Sequence, residues 1–419
     1  MKRLILLALL VPGPALAQVT APPRLPSTAA LSVDDAVHLA VRNNPSLSAS
    51  KLDIEAAQQG ARSARALANP QVVYTPAITS GGSDTELLVQ QPLEINGSRS
   101  ARVGAAEAQV ESARAQALSA ENSVVFSTKT AYYELVRAQE QLALASDQLE
   151  VTQEFDGLTR QQVDAGTRPT IDQIQSGIEV TRAKQQVVQA QAQADVAQGV
   201  LNTLLGHAPQ ESIGTVSAAL PNLPSLEDQS LLVQALRNRP EIMLQQSAID
   251  ASQQDRRAIR AEGIPDLAPQ YKATKITNGV QDGGLGVGLT IPFIDYGSRH
   301  SRLRQNEEAT RADEIRLAAI RDQVRQEVTA AIIQLRAAET VLQAYPQGLL
   351  DQSRQLLDAS RVGYQDGKTS LLALLDAQRT YREVQSDYIN AQVADAEARA
   401  ELERSTAADP FPTIPGSTK

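Results

Sequence analysis

The chain has 419 residues, a net charge of −9, no cysteine, no tryptophan and only 3% aromatic residues. The absence of cysteine excludes disulfides, thiolate metal sites, a cysteine nucleophile and an acylated N-terminal cysteine. The negative charge argues against nucleic acid as a main partner. A large globular core usually buries more aromatic area, so the long runs rich in Ala, Gln and Leu instead indicate helices packed closely side by side.

The N-terminus has the pattern of a secretory signal peptide over residues 1–17. A positive start precedes the apolar run Leu4–Val11, and Ala15-Leu-Ala17 supplies small residues for cleavage. We therefore expect Sec-dependent export, cleavage after Ala17, no lipidation and an N-terminal linker over 18–30. The apolar run is too short to span a bilayer, and no later segment approaches ~18 consecutive apolar residues. An integral membrane position would therefore require a closed β-barrel.

The two halves of the chain match each other in a slowly drifting register. The matches include Val41–Pro45 with Leu236–Pro240, Pro92 with Pro292, Gly97 with Gly297, Arg160 with Arg361, and Gly166 with Gly367. Such a pattern indicates a tandem duplication. We predict repeat 1 at 31–206, a joint at 207–225, repeat 2 at 226–405 and a tail at 406–419.

Each repeat begins with two short helices that are bounded by proline, followed by a β-hairpin with period-two alternation. The predicted second helices are 46–68 and 241–262, the hairpins are 71–95 and 267–294, and the turn-rich loops are 80–84 and 278–284. One face of each hairpin is apolar and the other is polar or small, which suits a strand pair in an outer membrane.

A Pro-x4-Gly-Ser-Arg junction follows each hairpin and marks the change from strand to helix periodicity. The proline ends hydrogen-bond donation along the strand, the glycine permits a turn, and the serine is the expected N-cap. The residues with these roles are Pro92, Gly97, Ser98, Pro292, Gly297 and Ser298. We interpret the arginines that follow, Arg299 and Arg302 in the second copy, as interfacial or solvated side chains near a membrane boundary.

Long helical hairpins are predicted over 98–205 and 298–405. The first helix of each is about 100 Å long at 1.5 Å per residue. Such a helix needs a coiled-coil partner, which the returning helix provides. Four strands per chain cannot close a barrel, but several chains that share their strands can. The layout therefore predicts an oligomeric outer-membrane pore that a helical conduit extends.

With these junctions, Ala131-Tyr-Tyr-Glu-Leu135 and the hairpin tips Val163–Asp172 and Gly367–Ala377, the chain resembles the TolC-type outer-membrane efflux proteins, or outer-membrane factors, over about 31–405. The resemblance implies a mainly α fold with a small antiparallel β part. In it, tandem-duplicated long helical hairpins form a trimeric α-helical barrel, continuous with a shared twelve-stranded outer-membrane β-barrel. Lacking an acylated cysteine, the chain is similar to the unlipidated branches, which include the heavy-metal (CzcC-like) one.

The same resemblance implies the partners of the chain. These are two further copies in a homotrimer, outer-membrane lipid, a periplasmic adaptor (membrane fusion) protein at the helical tips, and an inner-membrane pump, for which we expect the RND type.

The resemblance also assigns a periplasmic aperture and adaptor docking to the tips. The matching positions are Arg160, Gly166, Thr167, Arg168, Asp172, Arg361, Gly367, Lys368 and Asp376. Each has a plainer reading: glycines for turns, arginines for helix-end carbonyls and solvated first-turn carboxylates favoured by the helix dipole. Ala373 stands where some relatives have another Asp, which argues against a doubled acidic ring.

No catalytic function is predicted, because the chain lacks a nucleophile elbow and a phosphate loop. Three histidines, His38, His207 and His300, have no ligand spacing, so we expect neither a metal site nor a cofactor. The predicted function is a passive exit duct of a tripartite efflux pump, located in the outer membrane and extending into the periplasm. Two alternatives remain: a type I secretion duct for polypeptides, and an exported periplasmic coiled-coil protein without a pore.

Overall fold

The structure is a computed structural model that describes residues 31–76, 85–211, 213, 228–274, 282–292 and 295–407. The predicted signal peptide and its cleavage site, the linker up to residue 30 and all but the first two residues of the tail lie outside the described residues. Most of the predicted joint at 207–225 lies outside them as well.

Both halves of the chain follow the same order of elements. The first half contains α1 (Val33–Asn43), α2 (Pro45–Arg65), β1 (Gln71–Thr75), β2 (Glu86–Gln90), α3 (Ser98–Asp164) and α4 (Thr170–Leu204). The second half contains α5 (Asp228–Asn238), α6 (Pro240–Ala261), β3 (Asp266–Thr274), β4 (Asp282–Thr290), α7 (Ser298–Ala344), α8 (Leu350–Gln365) and α9 (Leu371–Thr406). With its 67 residues, α3 is about 100 Å long.

The long helix of the second half is broken, and the prediction of a continuous helix from 298 was wrong. A π-helical turn over Tyr345–Leu349 separates α7 from α8, and Gly348 inside it has φ 158°. Pro346 cannot donate a backbone hydrogen bond, and only glycine adopts the backbone angles of Gly348 at low cost. The first half has neither residue at the matching positions, so α3 continues without a break.

The four strands form one antiparallel sheet in the order β1-β2-β3-β4. The two hairpins pair through β2 and β3, where Val89 lies opposite Tyr271. β4 begins at Asp282, so residues 282–284, which the sequence assigned to a loop, belong to the strand. The edges of the described sheet are β1 and β4.

The register divides the sheet into an apolar face and a polar face, because cross-strand partners share a face. The apolar face carries Val72, Tyr74, Leu87, Val89, Leu267, Pro269, Tyr271, Ala273, Leu285, Val287 and Leu289. The polar face includes Gln71, Glu86, Gln90, Gln270, Lys272, Asp282, Gly284, Gly286 and Gly288. The alternation predicted for β2 and β4 is thus confirmed, and Leu285 is 91% exposed on the apolar face.

Helices pack in long pairs, α3 against α4 and α7 and α8 against α9, as the predicted hairpins require. Small residues are buried along α3, among them Ala101, Ala108 and Ala138. The described part of the chain contains no helix that combines the length and the apolar character of a membrane span.

Buried apolar side chains form separate clusters rather than one core. One cluster surrounds Tyr132 and Leu201 and includes Val393 of α9, so it joins the two halves. Another surrounds Val324 and Val328 of α7. A third and smaller cluster, centred on Tyr364, lies at the tips and is separate from the other two.

Corresponding residues join the two ends of each half. Asn44, the N-cap of α2, donates a 3.4 Å hydrogen bond to the carbonyl of Leu204 at the end of α4. Arg239, the N-cap of α6, donates to the carbonyl of Ser405 near the end of α9 at 3.2 Å.

Arg239 is also buried, and it pairs with Glu327 of α7 at 2.7 Å. Burial opposes ionisation of Glu327. The hydrogen bonds from Gln323 and Arg239 outweigh that effect, and the pKa of Glu327 lies below its ordinary value. The ionised carboxylate is thus part of the folded structure.

Candidate functional site

The two tips have the same backbone geometry. Gly166 and Gly367 both have φ 72°, a conformation that glycine adopts without steric cost. The Thr167 amide donates to the Gln162 carbonyl and the Lys368 amide to the Gly363 carbonyl, at 2.9 Å and 2.8 Å. Each long helix therefore ends in a Schellman motif, in which two further amides bond back into the last turn.

The returning helices begin differently at the two tips. In α9 the hydroxyl of Ser370 accepts a hydrogen bond from the amide of Ala373 at 3.2 Å. In α4 the N-cap is Pro169, which has no side-chain acceptor. A carboxylate in the first turn, Asp172, supplies negative charge near the positive end of the α4 dipole instead.

Arg168 connects the first tip to the second. Its guanidinium donates to the backbone carbonyl of Tyr364 at 2.8 Å and lies 4.2 Å from the centre of the Tyr364 ring. The ring is buried and also packs against Phe155 of α3, with 5.3 Å between centroids. One arginine thus satisfies a carbonyl at the end of α8 and places a cation over an aromatic face.

The paired arginines of the tips have unlike surroundings. Arg160 pairs with Asp156 on its own helix at 2.7 Å, and Asp156 accepts a 2.6 Å hydrogen bond from Ser176 of α4. Arg160 therefore orders a buried carboxylate that joins the two helices of the hairpin. Arg361 is exposed, and the residue one turn before it is Leu357, which belongs to the apolar tip cluster.

The tip carboxylates differ in exposure. Asp172 is half-buried and Asp376 is exposed, while Lys368 is exposed and pairs with Asp366 at 3.0 Å. Within one chain the tips therefore present both signs of charge. Asp172 and Asp376 remain candidates for an acidic aperture, because symmetry in an oligomer would repeat each of them around an axis.

At the junctions, Gly97 and Gly297 are the N-caps, and Ser98 and Ser298 are the first helical residues. The prediction of serine N-caps was wrong, because side chains that precede the glycines accept the free amides. The Asn96 amide oxygen accepts from the Ser98 amide at 3.0 Å. In the second junction the Asp295 carboxylate accepts from the amides of Gly297 and Arg299 at 3.0 Å and 3.2 Å.

The prolines of the junctions lie after the strands, as predicted. Pro92 and Pro292 lie two residues after the last residues of β2 and β4, where a missing amide does not interrupt the strand. The arginines do more than contact solvent. Arg102 pairs with both oxygens of Glu94 and donates to the carbonyl of Ala64. It therefore links the segment after β2 to the last turn of α2.

Sequence reasoning missed Tyr364, Asp156, Asn96 and Asp295. Tyr364 could have been found, because it is an aromatic residue three positions before a tip glycine in a chain with few aromatics. Asn96 and Asp295 each stand one or two residues before Gly-Ser, where a polar acceptor is expected. The contact between Arg168 and Tyr364 has no local signal, because 196 residues separate its partners.

No group of three or more His, Cys, Asp and Glu side chains suited to a metal ion occurs among the described residues. The described residues combine the ends of long helices with a four-stranded sheet that has one apolar face. These features are typical of a membrane channel protein with a helical extension.

The family model for outer membrane efflux proteins matches residues 36–207 and 231–408. The chain belongs to this family. It is an outer-membrane channel of an efflux pump and not an enzyme. The resemblance to the TolC-type proteins stated from the sequence is confirmed.

Individual relatives agree with the family. The chain is 28% identical over 381 residues to the cobalt-zinc-cadmium resistance protein CzcC of Cupriavidus metallidurans, covering 89% of each chain. The solved structure of CusC matches with a TM-score of 0.76 and 18% identity, over 89% of this chain and 91% of that one. VceC of Vibrio cholerae matches with a TM-score of 0.74 and 19% identity, over 89% and 95%. At these identities the two structures support the fold alone.

Proposed function

We propose that three copies of this chain form the exit duct of a tripartite efflux pump, with a shared twelve-stranded barrel and a tunnel of twelve helices. Its tips would meet a periplasmic adaptor, which would connect the duct to an inner-membrane pump of the RND type. Export after cleavage at Ala17, without lipidation, is part of this proposal.

The observation that carries the proposal is the four-stranded sheet with an apolar face. Within the described residues, its edge strands β1 and β4 have no strand paired on their outer sides. Each unpaired polar group would cost several kcal/mol in hydrocarbon, so a sheet placed in a membrane must be closed by other strands. If β1 of one copy pairs with β4 of the next, three copies with four strands each would form the closed twelve-stranded barrel of the proposal.

The tips supply the second part of the proposal. In a trimer the contact between Arg168 and Tyr364 would be repeated three times and would hold both hairpins of each chain together at the aperture. Gly166, Thr167, Gly367 and Lys368 form the exposed turns between the helices, and we propose them as adaptor contacts. Arg160 and Arg361 flank the same turns.

We propose divalent metal cations as the cargo. CzcC is named for resistance to cobalt, zinc and cadmium, and it matches 89% of this chain. Asp172 and Asp376 would add six carboxylates to the entrance of a trimer, which favours cations. The cargo is tested by growth on cobalt, zinc and cadmium salts of a strain that lacks this gene, with and without a plasmid that supplies it. We expect the plasmid to restore metal tolerance. If it restored only tolerance to drugs, or only secretion of a polypeptide, the proposed cargo would be wrong.

The duct itself is tested with purified protein. We expect a trimer by native mass spectrometry and ion conductance in planar bilayers. Asp376→Ala should raise the conductance or weaken its block by divalent cations. A monomer without conductance, or release from outer membranes by urea, would favour a periplasmic scaffold instead.

A further inference from the structure

Each junction contains two arginines, and the first of each pair, Arg99 or Arg299, differs from the second in its ionic contacts. The second arginine of each pair is neutralised by a carboxylate, Arg102 by Glu94 and Arg302 by Glu262 at 2.6 Å. Within the described residues Arg99 has no carboxylate partner within 4 Å. Arg299 has only Asp295, at 3.8 Å. The first arginine of each junction is thus paired less closely than the second: Arg99 has no ion pair among the described residues, and the pair of Arg299 is longer than that of Arg302.

The positions of these guanidinium groups are fixed by the backbone. Arg99 donates to the carbonyl of Arg65 at the end of α2 through Nε and Nη2, at 3.1 Å and 2.5 Å. Its other N–H groups have no partner in the described part of the chain. Arg299 lies against Gly263, directly after α6, where any side chain would overlap its guanidinium. The structure therefore places each guanidinium against the end of the short helix that precedes its hairpin, and it leaves donors of Arg99 available.

The surroundings point to a membrane surface. Exposed apolar side chains of the strands and of the segments that follow them include Ile95 and Ile291, which lie four and eight residues before Arg99 and Arg299. Tyr296 lies beside the second junction, 96% exposed and with φ 48°, a strained conformation for a tyrosine. Exposed tyrosines and arginines next to an apolar band are typical of the interface between membrane and water.

We propose that Arg99 and Arg299 bind the phosphodiester groups of glycerophospholipids in the periplasmic leaflet of the outer membrane. This inference rests on the proposed position of the sheet in the membrane. A guanidinium matches the geometry of phosphate oxygens and is weakly hydrated, so it suits a site at the edge of hydrocarbon.

The test compares lipid retention in purified trimers. Wild-type protein and the double variant Arg99→Gln/Arg299→Gln are reconstituted with phosphatidylglycerol, and the bound phospholipid is counted by native mass spectrometry. We expect the variant to lose most of the retained phospholipid. The matched control is Arg114→Gln/Arg311→Gln, which changes exposed arginines of the same helices about 18–22 Å further from the sheet. The control should retain lipid like the wild type.

A second variant separates ligand binding from a structural role. Arg99→Lys/Arg299→Lys keeps both charges but cannot reproduce the two donors to the Arg65 carbonyl. We expect it to retain more phospholipid than the glutamine variant, because both charges remain, but less than the wild type, because an ammonium does not match the phosphate oxygens in a bidentate way. Retention as low as in the glutamine variant would assign the effect to the lost contact with the Arg65 carbonyl and would overturn the inference. Equal retention in the glutamine variant and the wild type would overturn the inference, as would displacement of the lipid by inorganic phosphate or retention of lipopolysaccharide alone. Absence of a conducting trimer in the wild type would count against the proposed duct instead.

Discussion

The guanidinium of Arg168 contacts both the backbone and the ring of Tyr364, a residue of the other hairpin. Arg168→Gln removes the cation and shortens the side chain, so the bridge between the tips is lost. A hydrogen bond from a charged group and a cation–π contact together contribute about 2 kcal/mol. We expect a larger resting conductance in planar bilayers, because each chain then holds its hairpins together less firmly.

Lys368→Gln provides the control for that measurement. Lys368 is exposed at the second tip, and its ammonium pairs with Asp366 two residues away. Removing this charge changes the electrostatics of the tip without breaking a contact between hairpins. If both variants conducted alike, charge at the aperture rather than the bridge would explain the change.

Glu327 predicts how stability depends on pH. Its pKa is lowered from the ordinary value of 4.5, so the folded state binds fewer protons than the unfolded state near that value. The contribution of ionised Glu327 to the free energy of unfolding is therefore fully present above pH 4.5. It is lost as the pH falls through the pKa that Glu327 has in the folded state. Thermal unfolding should show wild type more stable than Glu327→Gln at pH 7, with the difference vanishing in acid.

Glu308→Gln is the matched variant for this titration. Glu308 also lies on α7 and pairs with Arg311, but both side chains are largely exposed. Exposed pairs contribute only about 0–1 kcal/mol, so the difference from wild type should stay small at every pH. A pH dependence as large as that of Glu327→Gln would show that the buried network has no special role.

At the level of whole elements, the two Schellman turns have a conformational requirement that can be measured. At both Gly166 and Gly367 an added Cβ would meet no atom within 4 Å, so the cost of alanine comes only from the positive φ. We expect Gly166→Ala and Gly367→Ala each to lower the free energy of unfolding by about 1–2 kcal/mol. Denaturant unfolding followed by circular dichroism checks this.

Gly157→Ala should have the opposite sign. Gly157 lies inside α3, its backbone is helical, and an added Cβ also meets no atom within 4 Å. Alanine there favours the helix by about 0.5–1 kcal/mol. Destabilisation by all three substitutions would indicate that contacts between copies, and not backbone conformation, determine the effect.

The sequence predicts elements well where a period extends over many residues. Apolar positions that alternate in β2 and β4, and the long stretch between Gly97 and Gly166 without proline, determine local structure directly. Prediction failed where one or two residues decide the outcome. Pro346 removes a backbone donor and Gly348 adopts a non-helical conformation, so two residues interrupt an otherwise helical pattern. The serine after each junction glycine already lies within the helix, so Asn96 and Asp295, which precede the glycine, accept the free amides instead.

The candidate site was predicted less completely than the fold. Gly166 and Gly367 were found because a turn requires glycine at a fixed position. The roles of Arg168 and Arg160 depend on Tyr364 and Asp156, which lie in the apolar tip cluster and on the buried face of α3. Such contacts form only when the hairpins pack together, so periodicity along the chain does not encode them.

For the whole molecule, the sheet determines which side meets lipid. Val287 lies on the apolar face and is 67% exposed, while Gly284 lies on the opposite face of the same strand with open space around it. In the proposed trimer Val287 points to hydrocarbon and Gly284 to the water-filled lumen. Arginine on the lipid face of a barrel near the midplane costs about 2–4 kcal/mol in each copy.

We therefore expect Val287→Arg to reduce the amount of trimer in outer membranes, whereas Gly284→Arg should assemble normally. Quantitative blotting of unheated membrane fractions measures both. Each of the three copies would carry the cost of an arginine in the hydrocarbon. Even at about 2 kcal/mol in each copy, we expect most of the inserted trimer to be lost. If Gly284→Arg failed to assemble and Val287→Arg succeeded, the faces of the sheet would be reversed, and the apolar side chains would line an interface between proteins.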